Sequence, residues 1–376
     1  MKRQGAWSRA QGASILLAVL LGCAAPLQWG LAEPNSATQT TADGFALPKP
    51  GRVFQFPRDH GSHEDFRTEW WYLTGHLDGE AGQRFGFQVT FFRQAARDGA
   101  GEVTHLHLAH AAILEAASGR FLHEERLHRD GWDAFSSAKT LEVRNANWSL
   151  KLNEVTQKIS VVATVKADAV LKLELEAAKP LVVFGENGVS RKGAAVSAAS
   201  HYLTFPRLKA TGSVNIGAVE HRVSGEAWMD HEFSSSQLDD GQVGWDWAAI
   251  QLKDGREVMV YRMRRADGST DAASTLTWIS KDAALKKADF TWKPLAMWKS
   301  PHSGAEYPNR VQIESDGSVF ELRPMAQDQE QGGSITGLPY WEGACDVLNE
   351  RGELIGRAFL ELAGYAGNLR QYLGGK

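Results

Sequence analysis

Apolar and polar residues alternate with a period of two through much of the chain. Leu171, Leu173 and Leu175 alternate with charged residues, and residues 84–93 and 158–166 show a similar pattern. This spacing is typical of strands that bury one face. No long window combines a 3.6-residue period with helix caps. The pattern therefore predicts a mostly β protein.

Short turn signals between these runs predict how the strands connect. Asp254-Gly255, Asp316-Gly317 and Arg351-Gly352 each stand between apolar or β-branched segments. Such dipeptides are typical of antiparallel hairpins. The predicted architecture is an antiparallel sandwich or a closed barrel, and a closed barrel can hold a ligand inside.

Two segments of the chain share an order of features. An aromatic-rich strand at 69–72 leads through a turn to an amphipathic strand at 85–93, and the same order recurs from 244–247 to 257–264. A true duplication would imply two similar barrels. Chance similarity between β-segments is the alternative.

The first residues resemble a secretory leader and are set apart from the fold. Positive residues precede the apolar run 15–21, which is too short to span a bilayer. The sequence Leu20-Leu21-Gly22-Cys23 resembles a lipobox, in which Cys23 would be lipidated and become the mature N-terminus. Cleavage after Ala32, which would release a soluble protein, is the alternative. Residues 33–47 are predicted to form a flexible tether.

Composition excludes several classes of function. The 376 residues carry a net charge of −4, which does not favour binding to nucleic acid through phosphate contacts. Two cysteines cannot form a disulfide framework. The chain has no Walker or dinucleotide-binding glycine pattern and no serine-hydrolase elbow, and no cofactor is predicted. The 13 tryptophans favour β-structure with aromatic clusters.

Several longer motifs follow one another along the chain. They are Asp59-His60-Gly61, Thr68-Glu69-Trp70-Trp71-Tyr72-Leu73-Thr74-Gly75, Ala109-His110-Ala111-Ala112-Ile113, Ser190-Arg191-Lys192-Gly193, the segment 225–237, Gly244-Trp245-Asp246-Trp247 and Tyr340-Trp341-Glu342-Gly343-Ala344. In this order they resemble the AttH/CrtC lipocalin-like family. That family includes carotenoid 1,2-hydratase (hydroxyneurosporene synthase) and bacterial proteins labelled predicted secreted hydrolases, and the latter branch is the more similar.

The resemblance implies a two-domain organisation. A leader at 1–32 and a tether at 33–47 would precede an N-terminal lipocalin-like barrel at 48–232 and a C-terminal one at 233–376. The two barrels would pack together, with a hydrophobic ligand in or between them. Members of this branch are often encoded beside an ABC-type permease, which is an association and not a mechanism.

Strand alternation divides the segment 228–233 into two faces. Trp228 and Asp230 would point one way, together with Glu232, while His231 and Phe233 would point the other. A carboxylate pair on one face can serve acid–base chemistry when burial raises one pKa. The alternative is a pair of solvated or loop-anchoring side chains.

The hydratase branch carries a His-x-Trp pair and a Tyr-x-Asp pair in its active region. This chain keeps His231 and Tyr261, but Phe233 and Met263 replace the Trp and the Asp. The change at Met263 argues against carotenoid hydration unless another aspartate supplies the proton. The resemblance and the alternation together give Asp230, His231 and Tyr261 as the candidate catalytic residues.

Aromatic clusters supply candidates for the ligand site, with barrel core or packing between domains as the alternative. Alternation allows Trp70 with Tyr72, or Trp71 alone, to face inward. Trp245 and Trp247 share a face opposite Asp246. The candidate ligand-binding residues are Glu69, Trp71, Trp228, Phe233, Trp245 and Trp247.

Histidines concentrate before residue 129 without a metal-binding signature. His105 and His107 share a face, as metal-binding strand pairs do, but no Cys/His motif accompanies them, and no metal is predicted.

The favoured function is a protein of the bacterial periplasm or cell envelope, secreted or lipid-anchored. It would bind an elongated hydrophobic ligand, an isoprenoid or acyl chain, beside an ABC-type permease, and would meet the membrane only through its leader or lipid. The alternative is a carotenoid 1,2-hydratase-like enzyme, or another hydro-lyase, isomerase or hydrolase acting on a polyene or lipid. A structural envelope protein is a third possibility.

Overall fold

The computed structural model describes residues 40–335 and 338–369, and these form antiparallel β-structure almost throughout. The predicted β class is therefore confirmed. The predicted leader, including Cys23, lies outside the described residues. Within them, no helix has the length and apolar character needed to cross a bilayer.

The first sheet is built from thirteen strands and curls into a nearly closed barrel. Its strands are β1 (Thr68–Gly79), β2 (Arg84–Arg97), β3 (Val103–Glu115), β4 (Arg120–Arg129), β5 (Ala134–Ser136), β6 (Glu142–Asn145), β7 (Trp148–Asn153), β8 (Lys158–Val165), β9 (Ala169–Ala177), β10 (Val182–Val183), β11 (Ser190–Arg191), β12 (Ala199–Ile216) and β13 (Val219–Ser236). They follow the order β4-β3-β2-β1-β13-β12-β9-β8-β7-β6-β5, with β10 and β11 paired to β12. A single 3-10 turn, Arg58–His60, lies before β1.

Side chains from the two ends of this sheet meet and close the barrel. Asn145 on β6 donates its amide to the carbonyl of His107 on β3 at 2.9 Å. The guanidinium of Arg126 on β4 lies 4.1 Å from the ring centroid of Trp148 on β7. The interior is filled by large buried side chains, among them Trp71, Phe85, Phe87, Phe91 and Trp148. This barrel is therefore a packed core and not an open calyx.

The second sheet has ten strands and forms a half-barrel. Its strands are β14 (Gln242–Leu252), β15 (Glu257–Arg265), β16 (Thr275–Ile279), β17 (Leu285–Ala288), β18 (Thr291–Lys299), β19 (Glu306–Ser315), β20 (Ser318–Pro324), β21 (Glu330–Gly332), β22 (Pro339–Leu348) and β23 (Leu354–Ala363). The order is β17-β16-β15-β14-β23-β22-β20-β19-β18, with β21 paired to β22. The chain crosses from the first sheet to the second at residues 237–241. The predicted domain boundary at 232/233 therefore lies inside β13.

The two sheets pack face to face through close contacts and buried polar groups. Gly86 on β2 touches β22 so closely that an added Cβ would come within 2.5 Å of the Cβ of Ala344. Arg357 on β23 donates two hydrogen bonds to the carboxylate of Asp78 on β1, both at 2.8 Å. These contacts hold β1 and β2 against β22 and β23.

A buried carboxylate at another point of this interface joins the sheets through two cations. Glu257 on β15 is fully buried. It accepts a hydrogen bond from Lys179 at 2.5 Å and another from Arg207 on β12 at 2.6 Å. Both cations belong to the first sheet's part of the chain, so Glu257 neutralises charge that the interface encloses.

The substitution Glu257→Gln is expected to lower the free energy of unfolding by about 3–5 kcal/mol, because it leaves the enclosed Lys179 without a counter-charge and Arg207 with Glu226 alone. Urea unfolding followed by fluorescence measures this change. The matched control is Glu142→Gln, which breaks the exposed ion pair with Lys151 and should cost less than about 1 kcal/mol. Equal effects of the two substitutions would contradict this account of the interface.

Candidate functional site

A cavity of about 650 Å³ lies between the two sheets. Strands β1, β2 and β13 supply one wall, and β14, β15, β22 and β23 supply the other. Its aromatic lining consists of Trp70, Tyr72, Phe92, Tyr202, Trp245, Trp247, Tyr261 and Tyr340. The first barrel is packed, so the candidate site is the space between the sheets.

Strand alternation decides which side chains reach this cavity. Asp230 and Glu232 on β13 line it, while His231 and Phe233 on the same strand turn into the first barrel. On β1 the cavity receives Trp70 and Tyr72, whereas Trp71 joins the barrel core. Of the two faces of β1 that the sequence offered for the ligand site, the one with Trp70 and Tyr72 lines the cavity.

Asp230 is a buried carboxyl group surrounded by hydrogen-bond donors. The hydroxyls of Tyr202 and Thr204 each donate to it at 2.6 Å, and the indole N–H of Trp228 donates at 2.7 Å. Trp247 in turn donates to the hydroxyl oxygen of Tyr202 at 3.0 Å. Burial raises the pKa of Asp230 to about 7, outweighing the lowering effect of these hydrogen bonds. This carboxyl group is therefore able to hold or release a proton near neutral pH.

A second acidic centre lies on the opposite wall. Glu342 on β22 and Glu361 on β23 are register partners on adjacent strands. Tyr72 donates to Glu342 at 2.8 Å and Trp245 donates to Glu361 at 2.9 Å. Burial, and then the charge of Glu361, raise the pKa of Glu342 well above its ordinary value. Burial is also the main cause that raises the pKa of Glu361 to about 7.

One buried lysine enters the cavity beside these acids. The ammonium of Lys192 lies 3.1 Å from a carboxylate oxygen of Glu232 and 4.1 Å from the ring centroid of Tyr261. The hydroxyl of Tyr261 donates to the backbone oxygen of Arg191 at 2.6 Å. Lys192 and Tyr261 are thus fixed by their neighbours, with the tyrosine ring covering the cation.

Behind the cavity, inside the first barrel, lies a separate polar cluster. Glu69 accepts from His63 and from His231, each at 2.8 Å, and from Arg93 at 3.1 Å. The other ring nitrogen of His63 faces Asp59 at 2.9 Å. Burial raises the pKa of Glu69, but the histidine hydrogen bonds and Arg93 outweigh it and hold that pKa below its ordinary value. The cluster ties the segment before β1 to the barrel.

Three members of this cluster are also a possible metal-ligand set. Atoms of His63, Glu69 and His231 lie within 4.8 Å of one another. The same atoms already pair at hydrogen-bond distances, and the guanidinium of Arg93 would repel a metal ion beside Glu69. The donor set therefore fits a hydrogen-bond network better than a metal centre. The pair His105 and His107 has other partners. The Nε2 atom of His107 lies 2.9 Å from a carboxylate oxygen of Asp130.

The structure separates the residues predicted for the site. Asp230, Tyr261, Trp245 and Trp247 line the cavity, and Trp228 supports Asp230 from the same face. Four others belong instead to the barrel side. They are His231, Glu69, Trp71 and Phe233. His231 consequently does not share a site with Asp230 and Tyr261, because neighbouring residues of a strand face opposite sides.

Sequence reasoning missed the second acidic centre. Glu361 is flanked by Leu360 and Leu362 in a strand that is apolar on its other face, and Glu342 follows Trp341 in a similar setting. A lone acid in such a run is the available signal for a buried carboxyl group. Which strand would lie opposite could not be inferred from that signal.

A larger depression, of about 1040 Å³, lies against β16 and β18. Its lining is rich in small and polar side chains such as Thr270, Ala272, Thr275 and Thr277. It shares Tyr261 with the cavity between the sheets. The smaller cavity, with its aromatic walls, is the better fit to an apolar ligand.

A nearly closed barrel packed on a half-barrel defines a lipocalin-like protein with two antiparallel sheets. Residues 47–365 match the AttH-like family model, and the chain belongs to that family. No curated protein sequence matches it.

One solved structure gives the same assignment, and two others share the fold. A protein assigned as an AttH from Nitrosomonas europaea is 31% identical, with a TM-score of 0.78 over 85% of this chain and 100% of that one. Kievitone hydratase from Nectria haematococca is 12% identical, with a TM-score of 0.64 over 84% of this chain and 93% of that one. CghA, solved with Sch210972, is 13% identical, with a TM-score of 0.51 over 86% of this chain and 97% of that one. The last two similarities concern the fold alone.

The pKa of Asp230 predicts a pH-dependent effect of Asp230→Asn. Its folded value of about 7 lies above the unfolded value of about 3.9. The folded protein therefore retains a proton that the unfolded chain releases, and wild-type stability falls as pH rises between these values. Relative to wild type, the variant should gain up to about 4 kcal/mol of unfolding free energy between pH 4 and pH 8.

Urea unfolding at both pH values measures this gain. Asp254→Asn is the control: burial raises the pKa of Asp254, but the hydrogen bonds and charge of Arg256 together outweigh it and hold that pKa below its ordinary value, so this variant should show no such gain. A stability difference between Asp230→Asn and wild type that does not change with pH would refute the assignment of a raised pKa.

Proposed function

We propose that the protein binds an elongated hydrophobic ligand, an isoprenoid or acyl chain, in the cavity between the two sheets. The observation that carries this proposal is the cavity of about 650 Å³ with its aromatic walls and few convergent polar groups. Its volume lies within the range of about 300–1,000 Å³ that is usual for small-molecule sites.

The strand register places the lining residues on two successive levels, a polar level at Tyr72 and a second level at Trp70, where Lys192 neutralises Glu232. Tyr72 pairs with Asp230 on one neighbouring strand and with Thr90 on the other. Two residues along β1, Trp70 pairs with Glu232 and with Phe92. Phe92 is paired in turn with Leu108 on β3. An elongated molecule would lie along the strands, with its polar end near Tyr72 and its chain near Trp70, Phe92 and Leu108.

Retinol, a neutral isoprenoid polyene, is a suitable probe, because bound polyene quenches nearby tryptophan by energy transfer. We expect saturable quenching of wild-type protein and about tenfold weaker binding by Trp247→Ala, which removes apolar contact area. Trp132→Ala is the control, since Trp132 is 80% exposed and lies outside the cavity lining. Failure of retinol and of an acyl alcohol to bind would refute the proposal.

A second function, supported by the state of Asp230, is acid-catalysed addition of water to a polyene. A neutral carboxyl group in an apolar cavity can donate its proton to an alkene carbon. The new C–H bond leaves a cation on the neighbouring carbon, and water adds there. The proton that the water then loses passes to a carboxylate, for which Glu361 is available. Kievitone hydratase shares the fold, but that similarity identifies no catalytic residue in this chain.

The enzymatic alternative predicts that deuterium from labelled water enters lycopene or neurosporene incubated with the protein. Asp230→Asn should lower that rate by about 10²–10⁴-fold, because the proton donor is removed. His231→Ala, on the barrel side of the same strand, should retain activity in the fraction that folds. Incorporation that survives Asp230→Asn but not His231→Ala would reverse this assignment.

The envelope location, lipidation at Cys23 and the permease partner stay predictions. Residues 1–39 lie outside the part of the chain that the structure describes.

A further inference from the structure

At the polar level of Tyr72, acidic side chains outnumber basic ones in the lining of the cavity between the sheets. Asp230, Glu342 and Glu361 line it, and none forms an ion pair with a Lys, Arg or His among the described residues. Each instead accepts hydrogen bonds from neutral donors. Glu232 differs, because Lys192 lies beside it at 3.1 Å.

The three acids converge on one level of the strand register. Tyr72 pairs with Asp230 on β13, and its hydroxyl donates to Glu342 across the cavity. Glu342 is the register partner of Glu361, which is also paired with Trp247 on β14. Trp247 lies edge-on to Tyr72, with 5.3 Å between their ring centroids. Acidic groups and aromatic rings therefore surround the same part of the cavity.

A further polar group on the cavity wall has no partner. The side chain of Gln237 lines the cavity and is 8% exposed. Its Nε2 atom is buried and makes no hydrogen bond with the described residues. Buried amide groups are normally paired, so an unpaired N–H donor at a cavity wall leaves room for a ligand atom that accepts a hydrogen bond.

Among the basic residues that line the cavity, Lys192 is paired with Glu232, and the two arginines are engaged elsewhere. Arg67 is ion-paired with Asp43. Arg97 donates to the backbone oxygens of Asp43 and Gly101, at 2.9 and 2.8 Å. The backbone oxygen of Arg67 accepts a hydrogen bond from Ala95 at the Thr68 end of β1, beyond Trp70. Both arginines therefore belong to that end of the cavity and not to the level of Tyr72. They do not neutralise the acidic groups there.

We propose that the ligand of this cavity is a cationic amphiphile, with an ammonium group held among Asp230, Glu342 and Glu361 and an apolar chain lying along Trp70, Phe92 and Leu108. This inference rests on the proposed function, because it names the class of hydrophobic ligand that the cavity takes. A bound ammonium favours the ionised form of these carboxyl groups and attracts it directly, and the faces of Trp and Tyr add a cation–π contribution. A neutral alcohol of equal length would gain only the apolar contacts.

Decyltrimethylammonium, decanol and decyl sulfate are matched probes, each used below its micelle concentration in calorimetric titrations of the full chain at pH 8. We expect the ammonium to bind at least about tenfold more tightly than decanol, and decyl sulfate to bind most weakly. The double variant Glu342→Gln/Glu361→Gln should lose this preference while decanol binding stays within about twofold. Glu306→Gln, an exposed acid outside the cavity, should change neither.

The outcomes separate this inference from the proposed function. Decanol binding with no preference for the ammonium overturns the inference and leaves the hydrophobic site in place. Absence of binding by all three probes refutes the hydrophobic site itself. An ammonium preference that survives the double variant shows that the cation is recognised elsewhere, which also overturns the inference.

A second readout avoids the need for a folded double variant. Binding of the ammonium near pH 7 should release protons from the acidic groups, because a cation favours their charged forms. Titrations in two buffers of different ionisation enthalpy measure that release on wild-type protein. We expect proton release with decyltrimethylammonium and none with decanol, and equal values for the two probes would overturn the inference.

Discussion

The burial of β13 on both of its faces is the constraint on which the rest of the structure depends. One face closes the first barrel, and the other faces the second sheet. Strand geometry sends alternate side chains to opposite sides, so Asp230 belongs to the cavity and His231 to the barrel cluster. β1 obeys the same rule, with Tyr72 in the cavity and Trp71 in the core.

Buried polar groups in the barrel and in the cavity are paired in different ways. This difference separates the groups that stabilise the fold from those that face a ligand. In the barrel cluster, Glu69 is matched by Arg93 and two histidines, so its charge is compensated within the protein. In the cavity, Asp230 and Glu361 receive hydrogen bonds from neutral donors only, and their pKa values rise to about 7. A carboxyl group without a counter-ion next to open space is available to a ligand.

Much of the fold was accessible from the sequence because period-two alternation is a local property. The alternation around Leu173 and the turn at Asp254 predict antiparallel strands directly. The two faces of 228–233 followed from the same geometry. The pairing of β22 with β23 follows from the hairpin signal at Arg351-Gly352, but the placement of Glu342 and Glu361 opposite β1 and β13 depends on packing between the sheets and could not be predicted from local pattern.

The grouping of Asp230 with His231 failed for a related reason. Residues adjacent in a motif suggest a common site, but neighbours on a strand cannot share one face. Met263, which stands where the hydratase branch is expected to carry an Asp, lines the cavity with an apolar side chain. Acids on β22 and β23 line the same cavity. The carboxyl groups of this cavity therefore come from β13, β22 and β23.

The central claim is that the ligand site lies between the two sheets and not inside a barrel. A crystal structure of the protein soaked with a long-chain ligand carrying a heavy atom at its polar end tests this most directly. The heavy atom is expected near Tyr72, Glu342 and Glu361, with the chain running past Trp70. Ligand density inside the first barrel, among Trp71 and Phe87, would contradict it.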